Sequence, residues 1–134
     1  YIMKTIFITM IAFATSLPLY AKDEDASAKF LSMCASCHVA TSSVKLAPPL
    51  YAVKDHVIKA YPDRQDFIEQ VVEWVEEPSR DISLMPGAIN KFGLMPKLGF
   101  AKEDVRQIAG YIYDEELLPS QEYKKHYKKN HQPR

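Results

Sequence analysis

Five consecutive residues, Cys34-Ala35-Ser36-Cys37-His38, limit what this chain can become more than any other feature, and they hold both of its cysteines. Two thiols three residues apart fall within one helical turn, and the histidine that follows brings an imidazole to the same turn. Such a pair serves as a structural disulfide, a redox-active Cys-x-x-Cys, half of a zinc site, or an anchor for a covalently attached haem. A thioredoxin-like pair belongs in a βαβ context, which is missing, and a zinc site needs a second pair of ligands that the chain does not offer. The histidine directly after the second cysteine matches the c-type haem attachment pattern.

The start of the chain reads as an export leader. Tyr1 and Ile2 precede the first methionine, and translation is expected to begin at Met3. Lys4 forms a short positive region, Ile6 to Leu17 an apolar one, and Pro18 and Leu19-Tyr20-Ala21 follow before an acidic run. A secretory signal peptide over 1–21, cleaved after Ala21, is the expectation. The apolar stretch falls short of the roughly 20 residues that span a bilayer, so no stable membrane anchor is expected. Residues 22–119 then form one domain, small enough to gain stability from a central haem. Residues 120–134 carry Lys124, Lys125, Lys128, Lys129 and Arg134 against Glu122 alone, while the whole chain is formally neutral. The body is therefore acidic, and the tail reads as a basic, mobile extension that would suit an acidic partner.

Three segments have helical periodicity, and no run alternates long enough to predict a strand. The first begins near Asp25 or Ser27 and places Phe30, Leu31, Met33 and Cys34 at helical spacing. The second follows Pro62-Asp63, shows an apolar face of Phe67, Ile68, Val71, Val72 and Val75, and stops at Pro78. The third begins near Lys102, with Glu103 and Asp104 in its first turn and Val105, Ile108, Ala109 and Ile112 on one face. Two long connections, 39–61 and 79–100, are rich in proline, glycine and small polar residues. Connections of that length in a compact domain wrap something or carry function.

In this order of parts the chain resembles the class I, monohaem cytochrome c family over most of residues 26–116: a helix running into Cys-x-x-Cys-His, a proline-containing loop, a middle helix with an aromatic residue, a Met-Pro loop and a last helix with tyrosines. The resemblance implies an all-α fold of three main helices and long loops wrapped around one covalent haem c. It implies that Cys34 and Cys37 attach the haem, that His38 is the proximal ligand, and that a methionine sulfur binds the iron on the other face, a pairing that raises the potential relative to two histidines. Two Met-Pro pairs occur, Met85-Pro86 and Met95-Pro96. Met95 lies just before the acidic start of the last helix, where the family keeps its ligand, whereas Met85-Pro86-Gly87 reads as a turn. Met95 is therefore the expected ligand and Met85 the alternative. Ala47-Pro48-Pro49-Leu50 is similar to the family's Gly-Pro-x-Leu segment, which makes the Pro48 carbonyl the expected acceptor for the proximal imidazole. Trp74 stands where relatives place an aromatic residue against the haem. Ala109-Gly110-Tyr111 matches the small and aromatic residues at the family's crossing of first and last helices, with Ala26 and Phe30 on the other side.

His56, in a connection, and His126 and His131, in the tail, are expected to be solvated rather than iron ligands. The resemblance implies an exported electron carrier, located in the periplasm, that cycles one iron between Fe(III) and Fe(II) and is not an enzyme. Redox proteins are the expected partners, and nucleic acid is not. Two other readings stay open: the cytochrome subunit of a larger oxidoreductase, and a haem enzyme or gas sensor with an open iron position.

Overall fold

Proline and aspartate punctuate the chain, and the helices beginning at Leu50, Arg64 and Pro86 start beside them. The computed structural model describes residues 20–39, 45–117 and 128–129. Among these residues there are six helices and no strand: α1 Tyr20–Met33, α2 Ala35–His38, α3 Leu50–Ala60, α4 Arg64–Glu76, α5 Pro86–Phe92 and α6 Lys102–Asp114. The fold is all-α. None of these helices is long and apolar enough to cross a membrane. The expected leader, 1–21, lies outside the described residues apart from Tyr20 and Ala21, with which α1 begins. The tail lies outside them too, apart from Lys128 and Lys129, so His126 and His131 are not described.

Helices α4 and α6 behave as their patterns predict. The Asp63 carboxylate accepts from the backbone N–H groups of Gln65 and Asp66, capping α4 at its orphan donors. Phe67, Ile68 and Val72 are buried on its inner face. In α6 Val105, Ile108, Ala109 and Ile112 turn inward, and Glu103 and Asp104 sit in the first turn, where the helix dipole favours negative charge. These two helices pack most extensively, with α1 laid across α6. Ala26 and Phe30 are the buried residues of α1 among those with described side chains, and the Phe30 ring lies 5.8 Å from Tyr111. Leu31, expected on the apolar face, is instead 62% exposed.

Two helices occupy segments expected to be loops. Pro48 and Pro49 hold the backbone extended, and the Pro49 carbonyl then accepts from Ala52 and Val53 N–H to open α3. Leu50 and Val57 join the main core with Val53 beside them, an i, i+3, i+7 stripe. His56 therefore stands on a helix, its Nδ1 donating to the Ala52 carbonyl at 2.8 Å, and not in a connection. Pro86 occupies the first turn of α5, where its missing N–H costs nothing, so Met85-Pro86-Gly87 is a helix start rather than a turn. Three main helices with long loops thus become four longer helices with two short ones.

The crossing expected at Gly110 is also different. A Cβ there would meet Arg64 Nη2 at 2.8 Å and Ile68 Cδ1 at 3.7 Å, both from α4. Glycine at this position makes room for α4 and its guanidinium, while Tyr111, one residue on, faces α1.

Candidate functional site

The thiols and imidazole of the motif are set by one continuous bend. α1 ends as Cys34 N–H donates to the Phe30 carbonyl, and the Cys34 carbonyl accepts from Cys37 and His38 N–H to start α2. Cys34 and Cys37 thus stand i, i+3 on a helical turn. Both are free thiols, Cys34 half-buried and Cys37 exposed. Burial, with Cys37 beside it, pushes the Cys34 thiol above its ordinary range.

His38 is held by the next connection. Its Nδ1 lies 2.8 Å from the Pro48 carbonyl. A carbonyl only accepts, so Nδ1 carries the proton and Nε2 keeps its lone pair. Burial pushes the His38 pKa below its usual range, opposed by the bond to Pro48, and so favours the neutral ring. A neutral imidazole with a fixed tautomer is the form that binds a metal.

These residues line one cavity of about 260 Å³. Every expected site residue lies on it: Cys34, Cys37, His38, Pro48, Trp74 and Met95. Met85 lies on it as well, and so does Met33. All the methionines and cysteines of the described residues therefore face a single space. The rest of the wall is aliphatic and aromatic, from α3, α4, α5 and α6, with Gln70 and Ser83 as added polar side chains. Leu46, Leu84, Leu94 and Leu98 line it while remaining 36–59% exposed, so apolar surface continues to the rim.

Gln70, Ser83 and Phe92 were not singled out in the sequence. The signal for Gln70 was present, since it lies one turn before Trp74 on α4. Ser83 sits in an irregular stretch, where periodicity says nothing about direction.

The donor set can be tested against a haem. Two thiols on one turn, a neutral imidazole with a free Nε2, thioethers and an apolar wall fit a covalently attached porphyrin and its iron. No group of three or more His, Cys, Asp or Glu side chains among the described residues is arranged to hold a bare metal ion. Thiol and imidazole thus face a common space without converging on one point.

Comparison with known proteins adds one relationship. The chain is 30% identical, over 128 residues, to a protein of Aquifex aeolicus (strain VF5) described as an uncharacterized protein; the alignment covers 78% of this chain and 84% of that one. No family model and no solved structure matches the chain.

Proposed function

The chain belongs to the same family as the Aquifex aeolicus protein, and from the site we propose that it is an exported electron-transfer protein with one covalently attached haem c in a cytochrome c-like fold. The observation that carries this reading is the shared cavity. Cys34, Cys37 and His38 line it together with Met85 and Met95, and the Pro48 carbonyl holds His38 in the tautomer that leaves Nε2 available. When bound, the haem supplies one-electron exchange between Fe(III) and Fe(II).

The chain's own residues have separate tasks. Cys34 and Cys37 would hold the porphyrin through two thioethers, and His38 would ligate the iron through Nε2. Pro48 orients that ring and raises its basicity. A methionine, Met95 in the first instance, would supply a thioether ligand and keep substrates from the metal. Trp74, half-buried at the wall, would pack against the porphyrin. The apolar lining excludes water, which raises the potential and limits reorganisation. Partners in this reading are redox proteins that meet an exposed haem edge in the periplasm.

Haem attachment is tested by expressing the full chain with its leader in a host that matures c-type cytochromes. The purified protein should keep one haem after denaturation, and Cys34→Ala with Cys37→Ala should abolish this. A chain recovered without covalent haem, from cells that mature another c-type protein normally, would overturn the proposal.

A further inference from the structure

The two methionines near α5 reach one cavity from unlike mounts. Met85 is the N-cap of α5 and is fixed on both sides. Its N–H donates to Ser83 Oγ at 3.1 Å, and its carbonyl accepts from Ala88 N–H at 2.9 Å and Ile89 N–H at 3.3 Å. Pro86 restricts its backbone further. Met95 lies beyond α5 on a segment bounded by Gly93 and Gly99, at φ of +84° and +68°, where glycine turns most freely. Among the described residues no backbone–backbone hydrogen bond involves 94–100. The segment is tied to the C-terminal end of α4 by the Lys97–Glu77 ion pair, and Phe100 packs on the α4–α6 cluster. Both members of that pair are mostly exposed, so the tie is weak and salt-sensitive.

Seven helical residues separate the two sulfurs' mounts, and both methionines nevertheless line the one cavity. A thioether on a loosely latched segment and a second on a fixed helix start therefore address the same space. We infer that Met85 is an alternative thioether ligand to Met95 for the haem iron: Met95 would ligate while Lys97 is paired with Glu77, and Met85 would replace it when the segment swings out. Lys97 and Glu77 act as positioning residues for the sulfur. The inference rests on the haem reading above. It makes the loss of one thioether an exchange of ligands rather than an opening of the iron.

The test uses the full-length haem-loaded protein labelled with [methyl-13C]methionine, whose reduced form shows an iron-bound methyl far upfield under the porphyrin ring current. At low salt the bound methyl should be that of Met95. Raising the salt, or introducing Glu77→Gln, should diminish that signal and bring up a second bound methyl, which Met85→Ala removes. Met95→Ala should keep the sulfur-to-iron charge-transfer band at a shifted position, and the double variant should lose it. The inference is overturned if the Met85 methyl stays unbound in Glu77→Gln and at high salt, or if either single methionine variant loses the band as completely as the double one. If Met95→Ala does not fold, the salt series and Glu77→Gln decide alone, since Glu77 lies at the surface. A protein without covalent haem would refute the earlier reading, which the haem content measured first distinguishes.

Discussion

The α1–α4–α6 side of the molecule and the α2–α5 side are built from similar residues to opposite ends. On the first, helices close on one another: Phe67 and Ala109 are fully buried, and polar ties cross between elements. Lys29 of α1 reaches Gln107 and Asp104 of α6, Arg64 of α4 holds Asp114 of α6 through two hydrogen bonds, and Glu69 pairs with Arg106. On the second, leucines line a cavity and stay exposed at its rim, and Lys97–Glu77 and His38–Pro48 are the ties that cross. The first side is closed by its own side chains except where Phe67, Trp74, Ile108 and Ile112 reach the cavity wall. The other presents apolar surface that a porphyrin of the proposed kind would cover, and its segments are short and irregular.

The sharpest way to break that contrast is to cut a phenyl ring from each side. Phe67→Ala should cost about 3–5 kcal/mol in urea unfolding, because a fully buried ring leaves a cavity among Val57, Ile108 and Tyr113. Phe92→Ala, half-buried on the cavity side, should cost less than half of that. Equal losses would mean that α5 is as firmly built as α4.

Capping provides a smaller contrast within the first side. Asp63→Ala should destabilise by about 1 kcal/mol, since two α4 donors lose their acceptor. Ala101 caps α6 without any side-chain bond, and Ala101→Asp should recover a comparable amount. Thermal melts of the two variants, moving in opposite directions, would establish it.

Smallest is an acid effect at the end of α6. Arg64 hydrogen-bonded to Asp114 holds its carboxyl below the usual range, against a smaller opposing effect of burial. A depressed folded pKa gives stability that is present above the unfolded value, near 4, and is lost as pH falls through the folded one. Both groups are more than half exposed, so the loss should be a few tenths of a kcal/mol. Arg64→Ala should erase this difference between urea curves at pH 5 and pH 2.5.

How far the sequence could be read depended on local signals. Asp63 and the Phe67–Val72 stripe announced α4, and Glu103-Asp104 with Val105, Ile108, Ala109 and Ile112 announced α6, because cap chemistry and periodicity act over a few residues. α3 had the same kind of stripe in Leu50, Val53 and Val57, but the two prolines ahead of it suggested a continuing loop rather than a launch point. α5 is too short for periodicity, with Ile89 its one buried residue. Gly110 was legible as a close approach but not as an approach to Arg64, since a glycine tells that something is near and not what. For the site, the spacing of Cys34, Cys37 and His38 located one wall of the cavity. That Met85 shares the space with Met95 is a matter of tertiary placement, which no local signal in the sequence carries.

The first turn of α3 joins two distant parts of the molecule. At its start Pro49 follows the carbonyl that holds His38, and one turn in, Lys54 donates to the carbonyls of Tyr113 and Glu115 at 2.7 and 2.5 Å, across the last turn of α6. α3 is thus a short strut between the chain's exit from α6 and the imidazole of the motif. The same short helix is anchored to the carbonyls that close α6 and begins beside the carbonyl that orients His38.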